Sequence, residues 1–237
     1  MSSFDALTRP VTLVLIGAHA SGKSTLASRL AVLTGWVHAP ELGWELRAAR
    51  PSNSVECFAP QPLFEAAVLE GERARDAARL TTAACAVVET WHAGNLAWAA
   101  VRSPDVLAEL RETSFAAAAD YSRCRCVLVQ PLRSSAAATR GRRELGAAVR
   151  VPGTESSVSD CEDSLLARTA RVAALATAFA AEMGLRILPE IDTSQGATID
   201  ESVTMALQHV LQALHPELPS PAGLKATLAA CASAGLR

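Results

Sequence analysis

Nine consecutive residues, Gly17-Ala18-His19-Ala20-Ser21-Gly22-Lys23-Ser24-Thr25, limit the possible folds of this chain more than any others. They read G-x-x-x-x-G-K-[ST] and stand between the apolar run Val11 to Ile16 and a segment of helical spacing from Leu26 to Leu33. A buried strand running into a helix is the setting this pattern requires. The glycines let the backbone curl so that successive N–H groups point inward at an anion, and the helix adds the partial positive charge of its N-terminus. The expected guest is ATP with Mg²⁺, held by Gly17, Ala20, Ser21, Gly22, Lys23, Ser24 and Thr25. Lys23 reaches the β- and γ-phosphates, and the Ser24 hydroxyl ligates Mg²⁺. Lys23 and Lys225 are the only lysines among 22 basic residues. A compact ammonium suits such a loop better than a planar guanidinium.

The 237 residues suit one α/β domain, expected over 1–214, with a loosely ordered tail over 215–237. Half the residues are apolar but only 4% are aromatic, so alanine carries much of the bulk and favours close helix–sheet packing. A formal charge of −2 gives no global basic field, so neither nucleic acid nor a membrane is an expected partner. No apolar run is long enough to span a bilayer, and Met1 to Arg9 is too polar for a signal peptide. The six cysteines lack metal-ligand spacing, which reads as reduced thiols in a cytoplasmic protein. Cys124 and Cys126 read as one face of a strand.

Apolar runs and turn residues place strands at Val11 to Ile16, Gly35 to Ala39, Ala84 to Glu89, Cys124 to Val129 and Leu185 to Ile191. Pro189 marks the last as an edge or bulged strand. Helices are expected over Leu63 to Leu80 with a charged face, from Thr90, over Asp105 to Ala119, over Ser164 to Met183 with Gly184 as its stop, and over Asp200 to Leu214. The fold class is α/β: a three-layer P-loop sandwich, a five-stranded parallel sheet with helices on both faces, ligands gathering outside the strands' carboxyl ends.

A guanine-reading N/T-K-x-D segment is absent. A ring-forming ATPase would need a helical lid domain and an acidic pair where this chain has Val87-Val88-Glu89-Thr90. What fits is a small-molecule kinase with an arginine-rich lid over about 132–160. Arg133, Arg140, Arg142, Arg143 and Arg150 fall within eighteen residues, with Glu144 the sole acid among them. Arginines there neutralise charge on the equatorial oxygens during phosphoryl transfer, and Arg140 with Arg142 is the favoured pair.

The loop, the acid after the second strand (Glu41), the third strand ending in Glu89, and Val129-Gln130-Pro131 followed by Arg140-Gly-Arg-Arg-Glu144 resemble the deoxynucleoside and thymidylate kinase group. The Glu89-Thr90 ending is also similar to nicotinamide-riboside-type kinases. The resemblance implies phosphoryl transfer from ATP to a nucleoside or nucleotide, with Glu41 as general base. Glu89 is the other candidate, as base, substrate contact or metal support. Catalytic candidates are therefore Lys23, Glu41, Glu89, Arg140 and Arg142. Trp44, Trp91 or Trp98 could stack on a planar substrate; core packing is the alternative for each. His92 and Asn95 could meet substrate polar groups. Arg47, Glu70 and Arg73 read chiefly as solvated helix charges. Asp192-Thr193 resembles the segment flanking the adenine. A regulatory or assembly ATPase acting on a protein partner, or a kinase for another metabolite, stays open, and the sequence leaves room for a homodimer.

Overall fold

Parity of side chains along the central strand assigns the two faces of the sheet. In the computed structural model, which describes residues 10–48, 61–80, 82–134, 158–193 and 198–216, β1 (Val11–Gly17) is buried on both sides. Val14 and Ile16 enter one core, and Val11, Leu13 and Leu15 enter the other. Burial on both faces is what a central parallel strand requires.

The chain continues through α1 (Lys23–Thr34), β2 (Val37–Ala39), α2 (Leu42–Ala48) and α3 (Pro62–Arg75). α3 runs into a π-helical turn, Asp76–Leu80. Next come β3 (Cys85–Glu89), α4 (Trp91–Arg102), α5 (Leu107–Cys124) and β4 (Cys126–Arg133). The described chain closes with α6 (Val158–Glu182), β5 (Arg186–Ile187), β6 (Ile191–Asp192) and α7 (Ile199–Leu214). Strand order is β2-β3-β1-β4-β5, with β6 also on β4, and every pairing is parallel. α1 and α7 cover the Leu13 face; α4, α5 and α6 cover the Val14 face. This is the α/β sandwich expected from the sequence.

Two local expectations need correction, and one element was not expected. The last strand is broken, because Pro189 has no N–H to give the ladder. β5 pairs with Leu128 and Val129, β6 pairs with Leu132 and Arg133, and the Gln130 side-chain amide donates to the Pro189 carbonyl at 2.5 Å in the gap. Cys124 is the last residue of α5 and exposed, so it shares no strand face with Cys126. α2 was not foreseen: its seven residues start on the Glu41 carbonyl, which accepts from the amides of Trp44 and Glu45. The expected lid lies outside the described residues except for 132–134 and 158–160, as do Arg140 and Arg142; the tail does so beyond Pro216. Among the described residues no helix is long and apolar enough to cross a membrane.

One buried cation staples the amino-terminal rim of the sheet. Arg125 is 2% exposed and donates to Thr12 Oγ1 at 2.8 Å, the Ala83 carbonyl at 2.6 Å and the Val11 carbonyl at 3.0 Å. These neutral oxygens come from β1 and the approach to β3, so one guanidinium ties three segments. Replacement by methionine, which keeps the length and loses every donor, is expected to cost about 3 kcal/mol. The free energy of denaturant unfolding measures it.

Candidate functional site

At the opposite, carboxyl rim the loop between β1 and α1 is shaped by two glycines. A Cβ on Gly17 (φ +155°) would lie 2.5 Å from the Leu132 carbonyl oxygen and 2.8 Å from Ser21 Oγ, so the backbone approaches too closely for any other residue. Gly22 (φ +91°) caps α1 in the left-handed region, where an L side chain is strained. α1 carries no side-chain cap and no acid in its first turn. Its leading amides, which have no acceptor within the helix, therefore face an anion without competition. Lys23 Nζ is held over the loop by the carbonyls of Gly17 at 3.2 Å and Ala18 at 3.1 Å. Ser21 is fully buried, and its hydroxyl finds no partner among the described residues. Orphan donors, one ammonium and a cradle closed to any Cβ fit a polyphosphate with its magnesium.

Alternation along β3 puts Val87 and Glu89 on the α1 face of the sheet, Val87 lying in the core beneath α1. Glu89 is 1% exposed, and both of its oxygens are engaged. Oε2 accepts from Ser24 Oγ at 2.5 Å, and Oε1 accepts from His38 Nε2 at 2.7 Å. A carboxylate so deeply buried is tolerable only with donors on each oxygen. The two acids thus acquire different surroundings. Glu41, at the start of α2, is half-buried, and its Oε2 accepts from Thr90 Oγ1 at 2.9 Å.

Thr90 makes that contact from a strained backbone, with φ 67° and ψ −61°, and Trp91 follows at φ 52°. Adjacent positive-φ residues without a glycine cost about 1–3 kcal/mol each and persist only where their surroundings enforce them. Here α4 makes room for them. A Cβ on Gly94 would fall 2.5 Å from the Thr90 methyl, so only glycine lets the helix close over the turn. Asp76, on the π turn, accepts from the Trp91 indole at 2.8 Å.

The expected charged face of the 63–80 helix is in large part interior. Glu72 and Asp76 flank the buried His92, at 3.2 Å from Nδ1 and 3.1 Å from Nε2. Arg75 donates to Glu72 Oε1 at 3.2 Å and to the Pro40 carbonyl, next to Glu41, at 3.1 Å. Burial pushes the Glu72 carboxyl above its ordinary range. His92 is therefore a structural partner of two acids and is not exposed to a substrate, and Asn95 stands beside Glu72. Trp91 is core. Arg102 and Glu65 form a second interior pair, 2.8 Å from Nε to Oε1. Burial lowers the guanidinium and raises the carboxyl from their usual values. Arg102 also lies 5.4 Å from the Phe64 ring centroid and 5.0 Å from that of Trp98. Glu70 and Arg73 are exposed and pair with each other, as a solvated face would.

Lys23, Ser24, Glu41 and Glu89 are thus gathered at one end of the sheet. Arg133 instead pairs with Glu190 and Asp192. Thr193 Oγ1 donates to the Ser21 carbonyl at 2.9 Å, which ties the end of β6 to the loop. His38 was missed: it stood in the sequence as one polar residue in a short strand, and its pairing with Glu89 depends on β2 lying beside β3.

Residues 12–151 match the AAA_28 family, described as an AAA domain. No curated protein matches the chain. A solved structure of a NadR protein in complex with NR superposes with a TM-score of 0.57 at 14% identity, covering 91% of this chain and 54% of that one. A NadR protein in complex with NAD and AMP-PNP gives 0.58 at 15%, covering 91% and 52%. Shikimate kinase from Acinetobacter baumannii in complex with shikimate gives 0.49 at 13%, covering 92% and 100%. The chain thus spans about half the length of the NadR chains, and at such identities the likeness is one of fold.

Proposed function

The chain belongs to the AAA_28 family, described as an AAA domain, and we propose that it is a phosphotransferase moving the γ-phosphoryl group of ATP onto a hydroxyl of a small molecule. One observation carries the reading: two carboxylates at the carboxyl end of the sheet are divided by their partners. Glu89 is engaged by the loop hydroxyl of Ser24 and by His38. Glu41 has one oxygen on Thr90 and the other without a hydrogen bond from any described residue. An acid that supports the loop and an acid open to a proton are the two that such a reaction needs.

Bound magnesium supplies charge neutralisation on the β- and γ-phosphates, and Ser24 would hold it with Glu89 behind. Lys23 stabilises the oxygens of the transferring group. Glu41 takes the acceptor's hydroxyl proton. The acceptor oxygen bonds to the γ-phosphorus as the bond to the β–γ bridging oxygen breaks, leaving ADP. Arg140 and Arg142, outside the described residues, are assigned to the lid.

The acceptor in this reading is a nucleoside or nucleotide. The motif resemblance to the deoxynucleoside and thymidylate kinases supports that class, as does the fold shared with a NadR protein in complex with NR. Trp44, 66% exposed and three residues beyond Glu41, offers an indole on which a planar base stacks. The family's description as an AAA domain favours a second reading, a regulatory or assembly ATPase acting on a protein partner. Turnover of magnesium ATP against a panel of nucleosides, nucleotides and other metabolites separates the two. The expected result is stimulation by one nucleoside or nucleotide, with ADP and phosphorylated acceptor formed in equal amounts. Stimulation by another metabolite would move the acceptor class. Phosphate release that responds only to a protein would establish the second reading.

A further inference from the structure

We propose that His38 is a positioning residue that, through Glu89, fixes the metal-side hydroxyl of Ser24. The inference rests on the reading of Ser24 as the magnesium ligand. Its observation is a three-membered chain across one face of the sheet: His38 Nε2 at 2.7 Å from Glu89 Oε1, and Glu89 Oε2 at 2.5 Å from Ser24 Oγ. The side chain of Glu89 is 2% exposed, and that of His38 is 24% exposed. The acid is thus buried and the histidine half-open at the margin.

The register places the histidine. His38 stands opposite Val87 in the parallel β2–β3 pair, and Glu89 lies two residues farther on the same face of β3. β2 contributes only Val37–Ala39 to the sheet, yet its central residue supplies one of the two donors this carboxylate receives. A carboxylate with both oxygens engaged has one orientation. With the Oε1 donor removed, Glu89 is free to rotate about its terminal bond, and the Ser24 hydroxyl loses its fixed direction. Outer-sphere partners of this sort carry about 10–100-fold in metal affinity or activity.

The test compares amides of equal chemistry and unequal reach in the full chain, by calorimetry with ATP plus Mg²⁺ and with ATP plus EDTA. H38Q extends an N–H to the position of the imidazole Nε2, whereas H38N stops short of Glu89. The quantity read is the gain in ATP affinity that magnesium confers. We expect that gain to fall about tenfold in H38N and to be retained in H38Q. Affinity for metal-free ATP should match wild type in both. The melting temperature should match in H38Q and fall in H38N, which leaves Glu89 Oε1 without its donor. A merely space-filling histidine would not separate the two amides in this way. An undiminished gain in H38N, or an equal loss in H38Q, overturns the inference while leaving the phosphate loop reading intact. Absence of any ATP binding by the wild-type protein overturns both together.

Discussion

Lys23→Ala is expected to lower ATP turnover about a thousandfold while the fold melts within a few degrees of wild type. The asymmetry follows from where the ammonium sits. Its contacts are two backbone carbonyls of its own loop, Gly17 and Ala18. It packs no core and neutralises no buried acid, so its loss costs little of the folding free energy. During transfer, however, it is the one fixed cation on the loop among the described residues. Lys23→Arg is expected to fail nearly as badly, because a planar fork does not fit between carbonyls placed for a point charge. Steady-state turnover beside a circular dichroism melt checks both halves. Turnover of Lys23→Ala within tenfold of wild type would sink the assignment.

Glu41→Gln is expected to reduce kcat about a thousandfold with little change in the affinity for magnesium ATP. Glutamine preserves an oxygen for the Thr90 hydroxyl and leaves the strained turn its partner, so the defect isolates the lost base. Glu89→Gln should behave differently. Its amide would place a donor against Ser24 or His38, where both neighbours now donate, and the loss should appear first in magnesium-dependent nucleotide binding. Parallel kcat and binding measurements on the two variants assign the roles. Equal loss of ATP binding in both would refute the division proposed here.

What could be read from the sequence was whatever local spacing dictates. The loop of residues 17–25 fixes its own chemistry, because the glycines and the lysine act within nine residues. Glu89 was legible as an acid ending an apolar strand. Glu72, Asp76 and His92 were not. Charges repeating at helical spacing look the same whether water or a second helix faces them, and only packing of α3 against α4 puts these groups inside. The strain at Thr90 was also invisible, since no glycine marks it and the residue that makes room for it, Gly94, lies in the next helix. His38 gave no local sign at all, because its partner is fifty-one residues away. The break at Pro189 was foreseen in kind, though the Gln130 amide that spans it was not.

The latch from Thr193 to the Ser21 carbonyl has a bearing on how the protein is born. Ribosomes deliver the loop early and its brace some 172 residues later. A nascent chain halted before β6 lacks the hydroxyl that holds the Ser21 carbonyl. The Ser21 carbonyl, and with it the curve of the loop, gains this partner only once the chain has been made through Thr193.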